Sequence, residues 1–337
     1  MALNKQQKKG LWRGALTAII TLLIIIAFGY VLTLRVPESY YNTRALYTTK
    51  GVNVLFVGNS HAIAGLNART FGEETKTNAL NIATTSQTVL STDLLVKEAV
   101  RTQDVDIIFV ETFSMLYPTP SDPTYSDALD ADSTVFRSVS GLKDKFLAMA
   151  EQPGMRRKFD AFLPLFKYHA NWKTPEEWHL RWTNSPLMQE SKNDYLAEHQ
   201  DGTRIIPYVM TPEQYSGYAE YKYEFNVNPA MTANAKYWDS IIETCRANDI
   251  DVVFVTLPWL PEFVANTNYS DITAAFTAYF AEKGVTYIDF NTMDFPVEYT
   301  DFAMEGPNPN QHLNVSGAEK VTAWLADWYN EEKTSGE

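Results

Sequence analysis

The chain has 337 residues, 45% of them hydrophobic and 20% charged, with a formal net charge of −13. That length exceeds one small domain, the composition excludes wholesale disorder, and the acidic balance argues against a grip on the phosphate backbone of nucleic acid. A single cysteine, Cys245, excludes an intramolecular disulfide and a cysteine-based zinc cluster.

The first element is an anchor. Gly14–Leu34 (GALTAIITLLIIIAFGYVLTL) runs 21 residues without a charge. At about 1.5 Å per residue it reaches across the roughly 30 Å hydrocarbon core of a bilayer. Lys5, Lys8, Lys9 and Arg13 precede it and Arg35 follows. The positive-inside rule therefore predicts a cytoplasmic basic tail over 1–13, a single-pass anchor over 14–34, and an extracytoplasmic remainder at the cell membrane. A cleaved signal peptide is the alternative, but the apolar run exceeds the usual signal core and no clear small-x-small cleavage site follows it. With the four upstream cations set aside, residues 14–337 carry −17, which repels anionic lipid and nucleic acid.

Residues 35–50 read as a tether. Next come mainly apolar or β-branched runs at Val52–Val57, Asn78–Ile82, Val105–Val110, Asp251–Thr256 and Val285–Phe290. Such runs are the pattern of strands buried on both faces. Helical spacing fills Ser86–Arg101, Met231–Ala247, Asp271–Lys283 and Ser316–Tyr329, the last opening on Ser316-x-x-Glu319, a capping-box pattern. Alternating strand and helix predicts an α/β fold: a flavodoxin-like three-layer α/β/α arrangement on a mainly parallel five-stranded sheet. The alternation breaks over 118–229, which reads as a large aromatic-rich insertion after the third strand. The domain then spans 51–331, with 332–337 a disordered tail. There is no GxGxxG or GxxxxGK[ST] pattern, so neither a nucleotide nor another cofactor is expected.

Two segments carry chemistry. Gly58-Asn59-Ser60-His61 follows the first buried strand directly and leads into a helical pattern. This places Ser60 at a strand's carboxyl end and a helix's N-terminus, where orphan backbone N–H groups stabilise developing negative charge. A serine that merely caps a helix looks the same locally. The second segment, Gln311-His312-Leu313-Asn314-Val315-Ser316-Gly317-Ala318, precedes the last amphipathic helix. A histidine in that loop can swing over the same sheet edge, and Ser with an adjacent His is the minimum apparatus of acyl transfer.

In these two segments the chain resembles the SGNH/GDSL hydrolase superfamily, through Gly58-Asn59-Ser60 and through His312 with its following Leu313-Asn314-x-x-Gly317-Ala318. The resemblance implies Ser60 as nucleophile, His312 as general base, and the backbone N–H groups of Ser60 and Ala83 as oxyanion donors. The sequence departs from the family in three places. Pro309 stands where an aspartate is expected, flanked by Asn308 and Asn310. Ala83 replaces the second block's glycine. Val110-Glu111-Thr112 stands in place of a Gly-x-Asn. Asn310 is the candidate to orient the imidazole, with Asp301 and Glu305 as carboxylates that could loop back. Asn59, His61, Glu111 and His169 are candidate site neighbours, and no metal site is expected. His179 and His199 read as surface residues. Tyr125-Ser126-Asp127-x-x-Asp130-x-Asp132 reads as a solvated acidic loop rather than a calcium site.

The anchor plus an external SGNH-like domain resembles the envelope acyl-transfer proteins of teichoic-acid D-alanylation and alginate O-acetylation. That implies an O-acyltransferase or esterase acting on acyl groups of a cell-envelope polysaccharide or teichoic acid, beside a membrane-bound O-acyltransferase partner. The insertion's aromatics, Trp172, Trp178, Trp182, Tyr208, Tyr215, Tyr218, Tyr221 and Tyr223, suit either a sugar-stacking cleft or simple packing. The alternative to an enzyme is an SGNH-fold envelope binding or assembly protein that has lost the acid.

Overall fold

The computed structural model describes residues 4–33, 36–117, 126–152, 154–173, 186–219, 222–303 and 312–335. They divide into two units, one of residues 1–35 with 149–191, the other of residues 36–148 with 192–337.

In the first unit the apolar run from Gly14 to Leu32 lies within one 28-residue helix, α1 (Lys5–Leu32), long and apolar enough to cross a membrane. Asn4 caps it through a capping box with Gln7. Its apolar side chains from Leu11 to Tyr30 are largely exposed, whereas Gly29 and Leu32 are buried. These two pack near Leu165–Tyr168 and the short 3-10 turn His169–Lys173.

The second unit is built on a five-stranded sheet in the order β2-β1-β3-β6-β7, with β1 Val54–Val57, β2 Ala79–Asn81, β3 Ile107–Glu111, β6 Asp251–Thr256 and β7 Thr286–Asp289. Every pairing in it is parallel; Phe56, for example, lies level with Asn81 and Phe109. A separate two-stranded antiparallel hairpin joins β4 (His199–Gln200) to β5 (Thr203–Arg204). The chain order reverses between β1 and β3, and the carboxyl ends of strands at that switch point are where open α/β sheets hold ligands.

Helices α3 (Ser60–Gly65) and α4 (Ala68–Thr75) pack with the C-terminal helix Val315–Ser335. Helix α5 (Val89–Thr102) packs with Val227–Arg246. Trp238, wholly buried, lies with its ring 5.3 Å from Phe254, 5.1 Å from Phe276 and 4.8 Å from Phe280. Phe56, Phe71 and Phe109 form a second aromatic group with ring separations of 5.2 to 5.6 Å.

Three readings need correction. The tether 35–50 contains a helix, α2 (Pro37–Thr48), with Tyr40 and Leu46 buried. Proline at its first turn suits a helix start, and the rest of its buried face is Ser39, Asn42 and Thr43, which leaves no apolar stripe to read. The final helix is capped by Asn314, not Ser316: Asn314 Oδ1 accepts the N–H groups of Ser316 at 2.9 Å and Gly317 at 3.2 Å. The Ser316 hydroxyl instead donates to Asp301 Oδ1 at 2.8 Å. That helix also runs to Ser335, through most of the residues read as a tail.

Trp238→Ala should destabilise the second unit by about 3–5 kcal/mol, as for other fully buried aromatics. Denaturant titration would measure it, and a loss under about 1 kcal/mol would contradict the packing described.

Candidate active site

The turn after β1 is built around Gly58, whose φ of +150° is one that side-chain-bearing residues rarely adopt. A Cβ there would lie 2.6 Å from Glu111 Cβ and 2.9 Å from Ala62 Cβ, so the position accepts glycine only. The next residue, Asn59, caps α3, its Oδ1 accepting the His61 N–H at 2.9 Å. Ser60 therefore begins the helix at the carboxyl end of β1, half-buried, and its N–H makes no hydrogen bond among the described residues.

His312 arrives from the other end of the chain. A bridge pairs Phe302 with Leu313, and the Ala303 N–H donates to the His312 carbonyl at 2.8 Å. With the Asn314 cap, these contacts hold the imidazole so that His312 Nε2 lies 2.9 Å from Ser60 Oγ. Burial, with a contribution from the nearby Arg204 charge, lowers His312 to a pKa of about 4. The imidazole is thus neutral at neutral pH and able to accept the serine proton. Its Nδ1 is buried and has no hydrogen-bond partner among the described residues. Asn310 and Glu305 lie outside the described residues. Asp301 does not face the imidazole: its carboxylate takes Lys320 Nζ at 2.7 Å, Ser316 Oγ at 2.8 Å and the Glu298 N–H at 2.8 Å.

His61 stands beside the pair. Its ring stacks on Phe113 at 3.9 Å and meets the His312 ring edge-on at 5.1 Å. Burial first, and His312 second, hold His61 well below the ordinary histidine range, so it is a neutral wall of the site. Glu111 lies beneath the turn, wholly buried, with Oε1 accepting the Phe113 N–H at 2.7 Å and the Asn59 and Thr112 N–H groups nearby. Burial outweighs those bonds and raises it to about 8, so it is an uncharged acid at neutral pH.

Ala83 is not positioned as an oxyanion donor. Its N–H donates to Asn81 Oδ1 at 2.9 Å, the residue is wholly buried, and its carbonyl accepts Asn42 Nδ2 at 2.6 Å. Asn81 is itself fixed by donating to the carbonyls of Ala62 and Leu66, both at 2.9 Å. His169 belongs to the first unit; its ring is exposed and its Nδ1 lies 2.8 Å from the Phe166 carbonyl. His199, read as a surface residue, is buried and stacks on Tyr195 at 3.9 Å. His179 lies outside the described residues, as do Trp178, Trp182 and Tyr221. The reading of a solvated acidic loop is overturned at Asp132, which lies in the helix Ser126–Ser138, is buried and accepts the hydroxyls of Thr88 and Ser91, a structural role.

Arg204 was not singled out by its sequence surroundings. It is carried by the β4–β5 hairpin, whose turn residues Asp201 (φ 51°) and Gly202 (φ 83°) both take positive φ. A Cβ on Gly202 would fall 1.7 Å from the Asn81 carbonyl oxygen, so the hairpin presses against the end of β2. The signal available in the sequence was the Asp201-Gly202 dipeptide, a strong two-residue turn former.

No protein-family model matches this chain, and no curated protein matches it in sequence. A structure search finds, among others, the crystal structure of a candidate acylhydrolase from Bacteroides fragilis NCTC 9343. It is 11% identical with a TM-score of 0.39, over 87% of this chain and 94% of that one. At that distance the functional reading rests on this site's own geometry.

The proton on Glu111 gives a pH test. The folded chain keeps it up to about pH 8, whereas an unperturbed carboxyl releases it near 4.5. Between those values the folded state binds more protons, so stability falls as pH rises. Glu111→Gln, which keeps the shape without the titration, should gain thermal stability relative to the parent as pH rises through that window. An unchanged difference in Tm across the window would contradict a buried neutral Glu111.

Proposed function

We propose that the protein is a membrane-anchored, extracytoplasmic SGNH-like esterase or O-acyltransferase that handles O-acyl groups of a cell-envelope polysaccharide or teichoic acid. The observation that carries the chemistry is the 2.9 Å contact between Ser60 Oγ and the neutral His312 Nε2 at the carboxyl ends of a parallel sheet. In this reading Ser60 Oγ attacks the acyl carbonyl while Nε2 takes its proton. The negative charge that forms on the carbonyl oxygen faces the unengaged Ser60 N–H. Collapse breaks the ester bond, and the protonated imidazole returns its proton to the leaving alkoxide. The acyl group on Ser60 then passes to water, giving an esterase, or to a sugar hydroxyl, giving a transferase. The cations before α1 support an N-terminus in the cytoplasm and a catalytic unit outside. The partner, a membrane-bound O-acyltransferase, is implied by the family resemblance alone.

A second reading, an SGNH-fold binding or assembly protein, is favoured by one observation: no group among the described residues orients His312 Nδ1. One experiment separates the two. Hydrolysis of an activated acetyl ester by the full-length protein should fall by at least roughly 10³-fold in Ser60→Ala and in His312→Ala, short of the roughly 10⁶-fold lost when the serine or base of a complete Ser-His-Asp triad is removed. Equal activity in parent and Ser60→Ala would sink the enzyme reading. The acid limb of kcat/KM should lie near pH 4, the value set by burial of His312 and by Arg204. Arg204→Gln should move that limb upward, and an unmoved limb would remove Arg204 from the site's electrostatics.

A further inference from the structure

The first unit contains an aromatic and cationic surface that the proposed catalysis does not use. The helix Gly154–Phe162 (GMRRKFDAF) carries Met155, Phe159 and Phe162 at helical spacing, all solvent-exposed, Met155 by 82%. Phe166, also exposed, stands 4.7 Å from Phe159 ring to ring, and Trp172 follows at 59% exposure. Water-exposed aromatics at this density are costly for a soluble surface. Interleaved with them are Arg156, Arg157, Lys158, Lys167 and Lys173, in a chain whose net charge is −13.

The same segment is joined to the end of the apolar helix. A Cβ on Gly29 would lie 2.9 Å from Pro164 Cγ and 3.0 Å from the Leu165 nitrogen, so the glycine permits this close approach. Asn171 Nδ2 donates to the Leu32 carbonyl at 3.1 Å, satisfying one of the carbonyls left open at the end of α1. From Gly14 to Leu32 the helix rises about 28 Å, nearly the thickness of the hydrocarbon core. A segment packed against Gly29–Leu32 is therefore held at the boundary between acyl chains and headgroups.

We propose that residues 154–173 form an interfacial collar that docks on the outer leaflet, seating Phe159, Phe162, Phe166 and Trp172 among the acyl-chain ends and its cations against anionic headgroups. This matches the physics of interfacial helices: an apolar face enters the boundary region while Lys and Arg contact lipid phosphates. The net acidity that would repel anionic lipid does not apply here, because positive charge is concentrated on this segment. The inference rests on α1 being a membrane anchor and is independent of the chemistry at Ser60.

The test uses the full-length chain in phosphatidylcholine vesicles with and without phosphatidylglycerol. Cys245 is wholly buried, so a single introduced cysteine takes an environment-sensitive label. Labels are placed at Phe159→Cys, Phe166→Cys, Leu23→Cys within α1, and the exposed Glu213→Cys of the other unit as a water-facing reference. Lipids brominated near the headgroup end of the acyl chain should quench Phe159→Cys and Phe166→Cys about two-fold or more over Glu213→Cys, as a boundary position requires. Adding Arg156→Gln, Arg157→Gln and Lys158→Gln should lower that quenching in vesicles with phosphatidylglycerol and leave it unchanged without. The proposal is overturned if Leu23→Cys meets lipid while Phe159→Cys and Phe166→Cys stay as open to iodide as the reference. Shielding of both positions from lipid and iodide alike would mean that protein covers the surface, which also overturns it. Loss of lipid contact at Leu23→Cys itself would instead remove the anchor, and the collar with it.

Discussion

Gly58 has no side chain, and the ends of β1 and β3 close over the space this leaves. Glu111 of β3 reaches under the turn to within 2.6 Å of where a Cβ would stand. Glycine permits that approach, and the chain leaves β1 at a φ of +150° and starts α3 at Ser60. Ser60 is consequently delivered to a helix start at the switch point of the sheet, rather than somewhere along a longer loop. The other features of the site depend on this turn. His312 finds Ser60 where it does because the turn is tight, and His61 is driven back onto Phe113 as a wall.

The same crowding explains the site's electrostatics. Glu111, His61 and His312 are three ionisable groups packed into one apolar corner, and burial is the largest influence on each. Each is shifted toward its neutral form, the carboxyl upward and the two imidazoles downward. Among the described residues the site holds no fixed negative charge, which favours a base that is free at neutral pH. Those residues also supply no carboxylate behind the imidazole to stabilise it once it takes a proton.

How much was legible in the sequence follows from what each element buries. The five strands could be read because their residues are mainly apolar or β-branched, most completely in β1, which is buried throughout, and in β3 as far as Val110. Ser60 and His312 could be paired because Ser60 follows such a strand, His312 precedes the final amphipathic helix, and the family resemblance links the two segments. The helix α2 was hidden because its buried face is mainly Ser39, Asn42 and Thr43, small polar residues, of which the Asn42 and Thr43 side chains are hydrogen-bonded, rather than an apolar stripe. The commitment of the Ala83 N–H to Asn81 was hidden because it depends on a side-chain rotation, not on a pattern. Arg204 was missed because its strand is two residues long and only the turn that makes it is visible locally.

The central claim is that Ser60 is a nucleophile activated by His312. Labelling of the full-length protein with a serine-directed fluorophosphonate, followed by peptide mass spectrometry, tests it most directly. The account predicts a single adduct on the peptide containing Ser60, formed at least about ten-fold more slowly in His312→Ala, since the base supplies the activation. No adduct on Ser60, or one that forms at the same rate without His312, would contradict it.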